Sequence, residues 1–272
     1  MLFRDNIGDT KSEDRYNLTT VAEKYVSAGQ HDSSALFFHC LAITHSIRYR
    51  EENIGGLRFD WPHIPLPNSR KTLIASAELG REIAALLDTE TPVNGVTTGS
   101  ICAELKAIGM PSKVGGGGLQ ADEFKVTAGW GILGKEDATM PGRGKAEVRA
   151  LLETDGDSGF HDALRRAQRE RNQRDVVEAP WQTVDVYLND VAYWKNIPLP
   201  VWEFTMGGYQ VIKKWVSYRE HRVLGRALKP EELTEVQNMA RRIAALILLQ
   251  PKLDANYAAV IADVYPFPHA AT

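Results

Sequence analysis

Basic side chains are concentrated in one short stretch of this sequence. Between Tyr209 and Lys229 there are six lysines and arginines against a single acid, Glu220. Such side chains neutralise phosphates, and a local basic face can steer a nucleic acid even when the whole molecule is acidic. The alternative is a solvated helix face, and the charge pattern leaves both interpretations open. The candidates for phosphate contacts are Lys213, Lys214, Arg219 and Arg222.

A second group of side chains is suited to reading base edges. Arg143 lies between two glycines, with Lys145 two positions further on, and Gln210 precedes the pair of lysines. Arginine and lysine bond the major-groove edge of guanine, and glutamine bonds adenine through two hydrogen bonds. The segment around Arg143 is also consistent with a charged hairpin tip. Both interpretations of it stay open at this stage.

The sequence contains no complete motif for catalysis or for nucleotide binding. Asp88 with Glu104 and Lys106 imitates the Asp, Glu-x-Lys pattern of Mg²⁺-dependent nucleases, but no clear strand surrounds Glu104 to display it. The four glycines at 115–118 match neither the dinucleotide nor the Walker spacing. A Pro-Pro pair preceded by an acid or amide, which would grip a flipped adenine, does not occur. We therefore predict no catalytic residue, cofactor or metal.

The basic stretch is predicted to be positioned by a strand, a glycine turn and a helix. Residues 186–189 alternate as a half-buried strand does, and the X-Pro pairs of 197–200 favour extended backbone. Gly207 and Gly208 predict a turn, after which apolar residues at helical spacing face away from the lysines. The aromatic residues assigned mainly to the core are Trp202, Tyr209 and Trp215.

The remaining elements follow from periodicity and prolines. The prolines of 54–68 predict an extended linker packed by Trp61, and the alternation over 124–133 predicts a strand. Pro251 is expected to end the last long helix. Helices are predicted over residues 17–27, 33–49, 70–87, 157–174 and 230–250.

Composition places the chain among ordinary globular proteins. It has 272 residues, 43% hydrophobic and 25% charged, with a formal charge of −3. It lacks both an apolar run long enough to span a membrane and a secretory leader, and its two cysteines are too few for a disulfide framework. We therefore expect a cytoplasmic protein with no membrane association.

Several sequence segments, taken in their order along the chain, resemble one protein family. They are ALFFHCLAITHSIRYRE from Ala35, WPHIPLP from Trp61, VYLN, VWEF, MGGYQVIKKWVSYRE from Met206, VLGRALKPEEL from Val223, ARRIAALILL and LDANYAA. Together they are similar to the C-terminal specificity domain of type ISP restriction-modification enzymes and cover most of residues 17–259. Those enzymes combine a translocase or nuclease part, an adenine-N6 DNA methyltransferase and a target-recognition domain.

The resemblance implies recognition of double-stranded DNA, in partnership with the methyltransferase and translocase portion of the same system. We expect an α+β fold, with a helical N-terminal segment, a mixed or mainly antiparallel sheet over about 93–208, and C-terminal helices. The expected divisions are a flexible lead at 1–16, a helical connector at 17–92 and a recognition domain at 93–272. The alternatives are a protein interaction module that docks a methyltransferase or helicase, and a metal-dependent nuclease.

Overall fold

The computed structural model describes residues 18–29, 32–134, 139–152, 155, 159–171 and 181–267; the predicted lead at 1–16 lies outside them. Its helices are α1 (Thr20–Gly29), α2 (Ser33–His45), α3 (Ile47–Glu52), α4 (Ile54–Leu57), α5 (Arg70–Leu87), α6 (Ala103–Lys106), α7 (Gly159–Arg171), α8 (Leu199–Trp202), α9 (Val211–Ser217), α10 (His221–Leu224) and α11 (Pro230–Ala262). Its strands are β1 (Met110–Lys113), β2 (Gly131–Leu133), β3 (Thr139–Pro141), β4 (Ala146–Ala150), β5 (Gln182–Tyr187), β6 (Ala192–Pro198), β7 (Thr205–Met206) and β8 (Tyr209–Gln210).

The predicted α+β class is confirmed. The central sheet has four strands in the order β1-β6-β5-β4, and every neighbouring pair is antiparallel. Two small hairpins, β2-β3 and β7-β8, stand apart from it. N-terminal helices and the long α11 complete the fold. Within the described residues, no helix is long and apolar enough to cross a membrane.

The chain divides into two compact units. A helical unit contains residues 1–85 and 252–272, and a sheet unit contains residues 86–251. Both divisions fall inside a helix, the first within α5 and the second within α11.

The apolar face of the sheet unit is built from β5 and β6. Val186 and Trp194 are fully buried, and they are paired across the two strands. The Trp194 indole donates to the Leu233 carbonyl at 3.0 Å, so this aromatic ring is bonded to α11 as well as packed. Val236 and Ala240 are fully buried and extend the apolar stripe of α11. These residues of α11 therefore belong to the core of the sheet unit.

An ionic network joins β4, β5 and β6 in the same unit. Arg149 donates to both Asp155 oxygens and to both Asp185 oxygens, with Nε to Asp185 at 2.7 Å. Lys195 contacts Asp155 at 2.9 Å, and the Asp155 side chain is only 1% exposed. Asp185 also accepts the backbone N–H of Asn196, which has a φ of 62°. The Asp185 carboxylate therefore satisfies a backbone position of positive φ next to the irregularity in β5–β6 pairing.

In the helical unit, side-chain donors hold the proline-rich segment. Tyr25 donates its hydroxyl to the Pro67 carbonyl at 2.7 Å, and Tyr49 donates to the His63 carbonyl at 3.1 Å. The buried His39 bonds the Pro65 carbonyl and the Ser76 hydroxyl. His39 is thus a core histidine whose two ring nitrogens both have hydrogen-bond partners. Prolines leave carbonyls without strand partners, and these donors satisfy them.

Two predictions about the linker are wrong. Residues 54–57 form the short helix α4 instead of extended backbone. Trp61 is 86% exposed and Phe59 is 90% exposed, so neither packs the linker. The hydrogen bonds described above hold the segment in place of an aromatic anchor.

Other boundaries differ from the sequence-based expectation. The predicted 33–49 helix is interrupted at Ser46, whose side chain caps α3 and bonds Asp254 at 2.7 Å. The predicted strand over 124–133 is mostly irregular: a 3-10 helix occupies Ala121–Phe124, and only β2 is extended. Around the predicted X-Pro pairs, the backbone is extended only as far as Pro198. Pro200 lies in the first turn of α8, where proline is tolerated. The helix predicted over 157–174 corresponds to α7. The predicted ends, residues 157–158 and 172–174, lie outside the described residues.

Pro251 does not end the last helix, which continues to Ala262. Proline removes one hydrogen bond and crowds the preceding turn, at a cost of about 3 kcal/mol. Beyond it, Tyr257 and Val260 are buried against Ile43 and Tyr49 in the helical unit. Burying these side chains stabilises the helical continuation by a comparable amount, at about 1.5–3 kcal/mol each.

Gly80 is predicted to be a position where any side chain destabilises the helical unit. A Cβ built on Gly80 would lie 1.8 Å from the Phe38 carbonyl oxygen, so α2 and α5 would have to separate. We expect Gly80→Ala to lower the free energy of unfolding by about 1–3 kcal/mol through overpacking. Gly56→Ala is the matched control, because a Cβ there meets nothing within 4 Å. Equal thermal denaturation midpoints for the two variants would contradict this packing.

Candidate nucleic-acid interface

The loop that carries Arg143 rests on a buried tryptophan. Trp130 is fully buried, and its indole donates to the Tyr187 carbonyl at 2.6 Å. Gly142 donates to the Trp130 carbonyl at 2.5 Å, and Gly144 donates to the Gly129 carbonyl at 3.1 Å. A Cβ on Gly144 would lie 2.0 Å from the Trp130 ring, and its φ is +66°. Gly144 therefore lets the loop lie directly on the ring, and Gly142 lets it approach the Gly129 and Trp130 backbone.

The junction between α9 and α10 is bonded to the same tryptophan segment. The buried Glu220 carboxylate accepts the Trp130 N–H at 2.7 Å and the N–H groups of Gly129 and Gly131 at 3.4 Å. Arg222 donates from Nε to the Gly131 carbonyl at 2.9 Å. In addition, α9 packs against β2 and β3. The structure thus brings the Arg143 loop and the lysine-bearing helix together around Trp130.

The predicted base-reading residues differ in how free they are. Arg143 is exposed, and no hydrogen bond or ion pair links its side chain to another described residue. Lys145 lies 4.1 Å from the Tyr187 ring centroid, with Glu147 and Asp190 at 3.8 and 3.9 Å. Gln210 donates its amide to the Trp202 carbonyl at 3.3 Å, so one end of that side chain is occupied.

The two lysines of α9 face outward as predicted. Lys214 lies 4.0 Å above the Tyr209 ring and 5.2 Å from the Tyr218 ring. Lys213 is half-buried, and it pairs with no acid among the described residues. The aromatic rings support the Lys214 stem while leaving ammonium protons available, as in other cation–π contacts. These lysines keep charge that can reach a phosphate.

Arg219 is already matched by acids on α11. Its guanidinium stacks 3.5 Å from the Trp215 ring centroid and lies 3.6 Å from Glu232 and 3.8 Å from Glu235. Arg226 also pairs with Glu232, and its hydrogen bond is the main cause of the lowered pKa of that carboxyl. The cationic surface is therefore smaller than the sequence pattern alone indicates.

A comparison with protein families identifies the chain. Residues 2–246 match the family described as the type ISP C-terminal specificity domain. The chain belongs to this family. It is a specificity domain, the part that recognises target DNA in type ISP restriction-modification enzymes. No curated protein and no solved structure gives a significant match to it.

The specificity domain exposes apolar side chains around the basic residues that the sequence analysis missed. Tyr209 is 55% exposed, so its assignment to the core is wrong. Ring faces next to cations can stack on bases or sugars, which makes these residues candidates for DNA contact. The sequence offered no clear signal for them, because Ile132 and Leu133 are adjacent and both exposed, which alternation along a strand does not predict. The exposed set also includes Ile132, Leu133, Met140, Met206 and Tyr218.

The structure does not bring together the residues of the alternative nuclease site, and the arginines of α7 lie on another element. Glu104 and Lys106 lie on α6, a single helical turn, and the nuclease pattern expects a strand at that place. Among the described residues, no group of three or more His, Cys, Asp or Glu side chains could hold a metal ion. Arg165 of α7 stacks 5.2 Å from the Trp181 ring, and Arg166 and Arg169 are exposed. The α7 arginines thus remain a separate basic surface of the specificity domain.

Proposed function

We propose that this specificity domain contacts duplex DNA through the surface formed by the 142–145 loop, α9 and α10, here called the Trp130 face. Support comes mainly from the way Glu220 and Trp130 hold the exposed Arg143 beside the lysines of α9. Two segments that are almost seventy residues apart in sequence are hydrogen-bonded to the backbone of one short segment around the buried Trp130. A face that combines a projecting arginine with lysines suits a phosphate backbone and an adjacent groove.

The roles within the Trp130 face follow from how each side chain is bonded. Lys213 and Lys214 are assigned to phosphates, and Arg143 to a guanine edge or a phosphate. Lys145 and Gln210 are assigned to base edges, once they exchange their present partners for DNA. Arg219 and Arg222 are assigned mainly to holding the face together. In this proposal residues 93–272 form the recognition domain and 17–92 the connector, and the protein acts in the cytoplasm.

Salt dependence of binding tests the proposal. We expect the intact chain to bind a random-sequence duplex with an affinity that falls steeply between about 50 and 200 mM salt, because each phosphate contact releases counterions. Fluorescence anisotropy of a labelled duplex measures both the Kd and the slope of log K against log salt. Binding that is absent, or independent of salt, would contradict the proposed function.

A docking role is the second candidate, and the exposed aromatic pair of the helical unit supports it. Phe59 and Trp61 are 90% and 86% exposed, and Asp60 holds their loop by accepting the Trp61 N–H at 2.7 Å and bonding His63 at 3.1 Å. Exposed aromatics on an ordered loop are typical of interface anchors. We propose that they dock the methyltransferase and translocase portion of the same type ISP system.

Replacing the aromatic pair separates docking from DNA binding. We expect Phe59→Ala/Trp61→Ala to weaken capture of the purified methyltransferase portion by at least about tenfold, as loss of an aromatic anchor does. Duplex affinity and the thermal midpoint should stay unchanged. Val21→Ala/Ile74→Ala is the control, because these side chains are also exposed in the helical unit, at 56% and 44%. Equal capture by both variants would rule out the docking loop.

A further inference from the structure

We propose that Glu220 is a positioning residue for sequence discrimination: its carboxylate fixes the loop that carries Arg143 relative to the lysine helix. This inference rests on the proposed DNA-contacting role of the Trp130 face. Glu220 is 4% exposed, yet within the described residues no lysine, arginine or histidine forms a salt bridge with it. Its charge is instead stabilised by three consecutive backbone N–H groups, those of Gly129, Trp130 and Gly131. Amides converging in this way form a cradle for an anion.

The same peptide groups transmit that constraint to the loop. Glu220 accepts the N–H groups of residues 129–131, while the carbonyls of Gly129 and Trp130 accept the N–H groups of Gly144 and Gly142. Carboxylate and loop are thus bonded to opposite ends of shared peptide units. Chains of hydrogen bonds polarise and strengthen one another, so losing the anionic end weakens the loop end.

Glu220 also has a fixed relation to the phosphate-contacting helix. It is the N-cap residue of α10, and it follows α9 by three positions. The lysines set how the molecule sits on the backbone, and the loop then has to present Arg143 to a base pair. A recognition side chain displaced by a fraction of an ångström loses its hydrogen-bond geometry, so support of this kind decides specificity more than affinity.

Glu220→Gln tests the proposal in the intact chain. Glutamine keeps the shape but offers one acceptor oxygen, and its NH₂ group faces a backbone N–H. Wild type and variant are each incubated with a randomised duplex pool, and bound sequences are counted. We expect the variant to bind the pool within about twofold of wild type with the same salt slope. Enrichment of preferred sequences should fall at least about tenfold, the loss expected from one misplaced base contact.

Two further variants distinguish positioning from general stability. Val236→Ala truncates a fully buried side chain in the core of the sheet unit, and it should lower the thermal midpoint while retaining enrichment. Gly144→Ala pushes the loop off the Trp130 ring by an independent route, so it should reproduce the loss of enrichment even if Glu220→Gln fails to fold.

The outcomes separate the two proposals. Full enrichment by Glu220→Gln, or by Gly144→Ala where Glu220→Gln is unfolded, would overturn the role of Glu220 and leave DNA binding intact. The role of Glu220 would also be overturned if Val236→Ala, at the same thermal midpoint as Glu220→Gln, lost as much enrichment. The effect would then come from lower stability. A wild-type chain that binds no duplex would remove the proposed function itself.

Discussion

Neutralising three side chains of the Trp130 face, by Arg143→Gln, Lys213→Gln and Lys214→Gln together, is expected to weaken duplex binding about 10²-fold at physiological salt. Each phosphate contact contributes about 0.9 to the slope of log K against log salt, which corresponds to about fivefold in affinity at 150 mM. Lys213 and Lys214 are the two assigned phosphate contacts, so the slope should fall by about two units, and loss of the Arg143 contact to a base edge accounts for the rest of the weakening. Anisotropy titrations at several salt concentrations measure both quantities.

The control removes the same charge from another surface of the sheet unit. Lys106, Arg166 and Arg169 are exposed on α6 and α7, and these helices pack against each other. Replacing all three by glutamine should change the salt slope by less than about one unit, through long-range attraction alone. If this control lost the binding and the Trp130-face variant kept it, the DNA-contacting surface would lie on α7.

Arg149→Ala is expected to produce the largest loss of stability, about 3–5 kcal/mol. The Arg149 guanidinium bonds both Asp155 and Asp185, whose side chains are 1% and 10% exposed. Removing it leaves two buried carboxylates without enough positive charge beside them, since Lys195 contacts Asp155 and not Asp185. Urea denaturation followed by circular dichroism measures the difference. Arg166→Ala, at an exposed position of α7, should stay within about 0.5 kcal/mol of wild type.

The difference between wild type and Arg149→Ala should shrink in acid. Burial would raise the pKa of Asp155, but hydrogen bonds led by that of Arg149 lower it below its ordinary value. A lowered folded-state pKa contributes stability above the unfolded value, near 3.9, and loses it as pH falls through the folded one. In the variant the part of that contribution that comes from Arg149 is absent at every pH, while Lys195 and the Leu152 N–H still bond Asp155. A stability difference that is constant from pH 7 down to about pH 3 would contradict this account of the network.

Apolar spacing and local conformational preferences predicted part of this fold correctly. The helix predicted over 70–87 has those bounds in the structure, because its apolar spacing agrees with the burial of Leu73 and Ala77. The glycine turn and the helix that carries the lysines were also confirmed, whereas the strand predicted over 186–189 ends at Tyr187. In these places the local preference and the tertiary environment favour the same conformation.

Long-range contacts explain what the sequence could not reveal. The helix continues through Pro251 because residues beyond it pack against segments two hundred positions earlier. Arg219 was predicted to contact phosphates, yet Glu232 and Glu235 on α11 pair with it. Glu220 looked like a lone exception in a basic run, although it is the residue bonded to the Trp130 segment. Such pairings depend on the fold, which one-dimensional spacing does not encode.

Hydrogen exchange with and without duplex DNA tests the central claim most directly. Mass spectrometry of the intact chain would compare amide protection for the 142–145 loop and for α9 and α10 with that of α6 and α7. We predict slower exchange on DNA binding in the loop and in residues 209–222, and no change in α6 and α7. Protection confined to α6 and α7, with the Trp130 face unchanged, would contradict the account.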